Sequence, residues 1–254
     1  MTKSKEKGDL MSGKIVQLTT WLSQYQRDQY TGIYERMKDK HASAMALLFQ
    51  NHEKSAEEHY KQLEIEYSTA FDWENTDSGD LILMIHDKAY EFYEFEVLME
   101  HNYYLSFLAN MYQIFEQQLR SFAYSELNHR LSPVRTKKLA RFGTNMNEIK
   151  EAYQAMGYDL EKNMYWETIR TLSDIVNTFK HGVGRSAKRL LKKHPEIFKI
   201  DTYNNQRVMD RELTTNFVVV FDIKKIDFNV YANVLINFWE YFPEYLEGTY
   251  RFEE

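Results

Sequence analysis

The chain of 254 residues contains no cysteine, only three prolines and only nine glycines. Without cysteine there is no disulfide, no thiolate metal site and no cysteine nucleophile, a composition that fits a reducing cytoplasm. So few prolines and glycines exclude an all-β sandwich, which needs many turns, and favour long helices. No run approaches 18 consecutive apolar residues, so no membrane span is expected. The opening MTKSKEKGDLMSGK is charged and lacks the apolar core of a secretory signal. Residues 1–11 are expected to form a flexible tail. What the chain does have is 43% hydrophobic and 15% aromatic residues, enough for a sizeable core and too many for wholesale disorder.

Net charge is −6, unevenly spread. Residues 42–100 hold 14 acids against three Lys and no Arg, a balance of −11. Residues 129–141 hold five bases and no acid, and residues 177–199 hold seven bases against Glu196 alone. A weakly acidic chain with two basic islands is no general polyanion binder, but it can engage an anionic partner at one defined place. Alternatively, the acidic and basic regions face each other within the fold or across an oligomer.

Hydrophobic spacing predicts helices over 14–40 and 41–68, a polar turn at 71–80, and helices over 81–100 and 102–128. In the last of these Leu105, Leu108, Tyr112, Phe115, Leu119 and Phe122 keep strict 3-4 spacing, the mark of a helix burying one face. After Pro133 and a basic connection, a helix over 148–157 is expected, capped by Asn147 and closed by Gly157. Another follows over 160–181, ended by Gly182 and Gly184 as left-handed-tolerant residues. Ser186 is positioned to cap a short basic helix that Pro195 ends. The β-branched run NFVVVFDI (216–223) predicts a strand paired with 198–210, and a last helix is expected over 228–247. The expected organisation is a tail at 1–11, an N-terminal helical arm at 12–80, and a mainly α-helical core at 81–254 with a small β-hairpin near 198–223.

On the 160–181 helix, Arg170, Asp174, Asn177 and His181 sit at offsets of 0, 4, 7 and 11, within about 60° of one another around the axis. An ordinary solvated face shows the same spacing. This line, however, lacks the Lys and Glu filler of solvated helices. It ends in a histidine at a helix C-terminus, where the dipole favours positive charge, and a Gly-rich turn and a dense group of bases follow at once. Such a set suits RNA cleavage. A histidine can move the proton of a 2′-hydroxyl or of the 5′-oxygen leaving group. A guanidinium can hold the phosphate, an amide can orient either group, and the substrate's own hydroxyl is the nucleophile, so no metal or other cofactor is required.

At these residues the chain resembles a known family. An aromatic helix reading YQIFEQQL (112–119) precedes a helix ending NxxKHGxGxS and a short basic helix ending in a proline and an aromatic. This order, over roughly 100–247, is similar to the HEPN superfamily of small α-helical domains, many of them ribonucleases of toxin–antitoxin and antiviral defence systems. The family signature is an Arg, a polar residue, then a His about five residues after the Arg. Asn177 and His181 match the last two, and the Arg position is occupied by Val176. The resemblance implies a HEPN-like, metal-independent endoribonuclease acting as a cytoplasmic homodimer, its site formed between two protomers, with RNA as substrate and an antitoxin or other protein as partner. His181 is then the general acid/base, Arg170 the phosphate ligand and Asn177 the orienting amide. Lys180, Arg185, Lys188, Arg189 and Lys192 are the phosphate-binding bases. The alternative is a non-catalytic helical scaffold or regulator that binds a partner protein or RNA.

Other constellations are weaker. Glu126 and His129 form one Glu-x-x-His where a di-iron bundle needs two. His52 and His59, two turns apart, read as part of an acidic solvated face. Gly182-Val-Gly184 lacks the preceding strand and the GK[ST] ending of a phosphate loop.

Overall fold

The computed structural model describes residues 15–70, 78–130, 145–211 and 215–251. The expected tail and most of the first basic island lie outside them. The chain is mainly α-helical, with a small β-hairpin before the last helix. In order it runs β1 (Ile15–Trp21), α1 (Gln24–Leu48), α2 (His52–Ala70), α3 (Ser78–Arg130), α4 (Met146–Ala155), α5 (Trp166–His181), α6 (Arg185–Lys193), β2 (Ile200–Asp201), β3 (Gln206–Arg207), α7 (Phe228–Glu240) and β4 (Tyr245–Arg251).

The two helices expected over 81–100 and 102–128 are one helix of 53 residues, α3, about 80 Å long. It runs through two separate cores. Its second half presents Leu105, Leu108, Phe115, Leu119 and Phe122 to the main core, which α1, α4, α5 and α7 complete. Its first half packs against α2 around only Leu63, Leu81 and Ile85. These cores divide the chain differently from the polar turn at 71–80. Leu18, Leu22, Tyr34 and Met37 belong to the main core, so β1 and α1 are part of it, and the arm is α2 with the start of α3.

Buried polar side chains fix how the helices meet. The Gln118 carboxamide oxygen on α3 accepts from the Trp239 indole (2.8 Å) and the Tyr34 hydroxyl, while its amide donates to the Tyr30 carbonyl at 3.2 Å. Arg27 on α1 donates to the Trp239 and Glu240 carbonyls at the end of α7, where unpaired carbonyls and the helix dipole call for a cation. Ser23 and Gln26 form a reciprocal capping box at the start of α1.

The terminal strands were not expected. Residues 15–21 fall in the segment predicted helical, yet they pair antiparallel with 245–251, Leu18 opposite Gly248. The burial has period two: Leu18, Thr20 and Leu22 face inward, Gln17, Thr19 and Trp21 outward. The last helix accordingly ends at Glu240, before Pro243, and not at 247. The end of α4 meets β4 closely. A Cβ on Gly248 would stand 2.1 Å from the Ala155 carbonyl oxygen, and one on Gly157 (φ 86°) 1.9 Å from that of Glu247. The cap of α4 is Asn145, whose side chain accepts from the Asn147 and Glu148 amides, so Asn147 lies inside the helix it was expected to cap.

The hairpin also differs from expectation. β2 pairs with β3 inside 198–210, while 216–223 touches this region through a single bridge, Phe198 with Phe221. Side chains of α3 take the place of a ladder there. The Asn102 amide donates to the Asn216 carbonyl at 2.9 Å, and the His101 ring accepts the Phe221 N–H at 3.3 Å. The second ring nitrogen of His101 faces the Asn102 carbonyl oxygen at 3.3 Å, so the neutral ring with its proton on Nδ1 satisfies both contacts.

Candidate functional site

Helix α5 is amphipathic because its apolar residues fall on one broad arc. Trp166, Ile169, Leu172, Ile175 and Val176 are all buried. Gly182, with φ 66°, ends the helix as predicted. Gly184 is extended instead and sits at the N-cap of α6, so Ser186 lies within that helix. On α6, Ala187 and Leu190 point into the core, and Arg185, Lys188 and Lys192, at offsets of 0, 3 and 7, share the opposite, exposed face.

The four residues of the predicted polar line separate into distinct roles. Asp174 is buried and takes a two-pronged hydrogen bond from the Arg189 guanidinium on α6, one arm of it Nε to Oδ2 at 2.8 Å. Arg189 also donates to the Ser186 hydroxyl at 3.1 Å. Two turns towards the start of α5, Lys193 pairs with Glu167 and holds its carboxyl below the usual range. These two cross-links, one at the middle of α6 and one at its C-terminal end, fasten it to α5. Asn177 is half-buried and donates to the Ser173 hydroxyl at 3.3 Å, directed up the helix and away from His181. Ser173 in turn bonds Tyr112 on α3, whose phenol burial pushes up to about 12.

Arg170 and His181 are both exposed. Eleven residues along one helix separate them by about 16 Å on its axis, and the Arg170 side chain leans towards the N-terminus, away from His181. The two therefore do not meet over one phosphodiester within a single chain. Next to His181 in the chain are Lys180, the Gly182–Gly184 turn and Arg185 at the start of α6; α6 then runs back along α5, with Arg189 level with Asp174 and Lys193 level with Glu167. Among the described residues, Lys180, Arg185, Lys188 and Lys192 have no acidic partner within 4 Å, in contrast to Arg189 and Lys193. The α5–α6 corner thus carries one imidazole at the turn and, from Lys180 along the outward face of α6, four cations without an acidic partner.

The other histidine pair resolves differently from a metal site. His52 lies between Glu100 (2.8 Å) and Glu96 (3.9 Å) on α3, whereas His59 stacks on Phe92 with ring centroids 4.4 Å apart. Among the described residues no group of three or more His, Asp or Glu is arranged to hold a metal ion. No described helix is long and apolar enough to cross a membrane. Sequence reasoning missed the Asp174–Arg189 pair, the Tyr112–Ser173 bond and a cleft along α3, because each joins segments distant in the chain. Comparison with family models, with curated proteins and with solved structures finds no match to this chain.

Proposed function

We propose that this chain is a HEPN-like, metal-independent endoribonuclease that binds the RNA backbone on the α5–α6 corner and works as a homodimer. The observation that carries this reading is the exposed His181, followed by Arg185 and a row of cations along α6 that no acid of the described fold neutralises, on a helix pair locked by Arg189 on the buried Asp174 carboxylate. Lys180, Arg185, Lys188 and Lys192 hold the phosphates by charge. His181 takes the proton of the 2′-hydroxyl, whose oxygen attacks phosphorus, or returns a proton to the departing 5′-oxygen, leaving a 2′,3′-cyclic phosphate. A second copy with its α5 antiparallel to the first would bring its Arg170 next to His181, which is the reason the reading includes a dimer.

One observation favours a second reading, RNA or partner binding without cleavage. The residue at the family's Arg position, Val176, is 1% exposed and packed in the core. On this helix that position faces inward, so the departure is one of direction as well as of side chain.

The test is incubation of the purified chain with single-stranded RNA in a chelator, with end-group mapping and a parallel binding titration. Cleavage leaving 2′,3′-cyclic ends, abolished by His181→Ala with binding intact, supports the nuclease. Binding without cleavage, weakened by Lys188→Ala and Lys192→Ala with a salt slope reduced by about one for each lysine, supports the second reading. Cleavage that survives His181→Ala, or absence of RNA binding, sinks the assignment of this corner.

A further inference from the structure

A cleft runs along the first half of α3, where residues 199–211 and 217–225 contribute its other wall. It consists of two adjoining cavities of about 580 and 480 Å³ that share Tyr93, Val97, Lys199 and Val219 as walls. Each is in the size range of small-molecule sites. Its two ends differ in chemistry.

One end is aromatic. Tyr90 and Tyr93 stack with ring centroids 6.4 Å apart and planes inclined by 26°. Phe217, 81% exposed, stands across from them on the same cavity. Large rings left this open to water mark surfaces that gain by being covered. The other end is charged, and its acids are already engaged: Glu100 with His52 at 2.8 Å and Asp222 with Lys225 at 3.3 Å. Arg211, at the aromatic end, is held by Asp201. Lys199, in the wall common to both cavities, and Lys224, at the charged end, have no acidic partner within 4 Å among the described residues. At the aromatic end the Glu94 carboxylate is engaged by the Tyr90 hydroxyl, so stackable rings adjoin two ammonium groups that no carboxylate pairs, in a chain region otherwise dominated by acids.

We propose that this cleft binds a nucleotide, its base against the Tyr90, Tyr93 and Phe217 rings and its phosphate on Lys199 and Lys224. Aromatic faces accept any base, and ammonium groups supply the anion contact, so affinity depends on both halves of the ligand being present. The cleft shares no residue with the α5–α6 corner, and the proposal stands apart from the nuclease reading.

The full chain is titrated calorimetrically with AMP, GMP, CMP and UMP, and with adenosine and inorganic phosphate as half-ligands. At least one nucleotide is expected to bind in the micromolar range, with adenosine and phosphate each weaker by about tenfold or more. Lys199→Ala and Lys224→Ala, both at exposed positions, should each weaken that nucleotide about tenfold with an unchanged circular dichroism spectrum. Tyr90→Ala should weaken it while leaving phosphate binding as it was. Lys188→Ala with Lys192→Ala should change nothing. The proposal is overturned if no nucleotide binds below about 1 mM, if adenosine binds as well as AMP, if the lysine variants bind normally, or if the α6 variant is the one that loses binding.

Discussion

His101 makes the stability of this protein depend on pH in a calculable way. Its ring is 1% exposed, and burial lowers its pKa from 6.5 to about 4, with the nearby Lys199 adding to the effect. A histidine depressed in the folded state is protonated first in the unfolded chain. Its contribution is therefore complete above pH 6.5 and is lost as pH falls from there towards 4. At about 1.36 kcal/mol for each pH unit between the two values, the full loss is about 3.4 kcal/mol, and about 2 kcal/mol of it has accrued by pH 5. The geometry gives the same direction, because protonating Nε2 removes the acceptor of the Phe221 N–H. The perturbation is His101→Gln, which keeps an acceptor and cannot titrate. Urea unfolding of both proteins at pH 7.5 and pH 5 yields two stability differences, in which the other histidines and the carboxylates cancel. Wild type should lose about 2 kcal/mol relative to the variant over that interval. A difference that stays constant within about 0.5 kcal/mol, or one of opposite sign, refutes the account.

The α5–α6 lock is unequal in its two halves. Arg189→Ala strands a buried Asp174 carboxylate and should cost about 3 kcal/mol, whereas Asp174→Ala lets the half-exposed guanidinium turn to water and should cost less; thermal melts of the two variants give the order. Glycine substitutions should split in sign. Gly248→Ala drives a methyl into the Ala155 carbonyl and should cost more than about 2 kcal/mol or prevent folding, while Gly32→Ala on α1, meeting only an Arg36 nitrogen at 3.7 Å, should raise stability by about 0.5–1 kcal/mol in the same melts.

The helical class was readable because period-3.6 burial survives in the sequence of α3, α5 and α7, where one face packs throughout. Three features were not readable, each for a physical reason. In β1, Leu18 and Leu22 fit a helical stripe as well as a strand, and only the partner strand 230 residues away decides between them. Two predicted helices merged into α3 because their apolar faces serve different cores, so the stripe shifts while the backbone continues. The VVVF run has strand chemistry, but tertiary partners overrode it: His101 and Asn102 from α3 satisfy the backbone groups a ladder would have used.

The candidate site shows how counting charges in a sequence misleads and how geometry corrects it. Seven bases between residues 177 and 199 read as one patch. Folded, Arg189 pairs with the buried Asp174 and Lys193 with Glu167 on the surface, and their charges are cancelled there. The spacing already contained this sorting. On α6, Arg189 and Lys193 lie four apart on the flank towards α5, while Arg185, Lys188 and Lys192 lie opposite Leu190. The same pairing explains why Asp174 fits the helical line without belonging to the exposed set, since a carboxylate that is 5% exposed requires a cation of its own. Lys199 is spared for a different reason: it follows α6 and enters the wall of the α3 cleft, where the acids at hand already serve His52, Lys225 and the Tyr90 hydroxyl. One basic island thus becomes a lock, an outward platform that starts after His181 and runs back along α5, and one wall of a separate cleft.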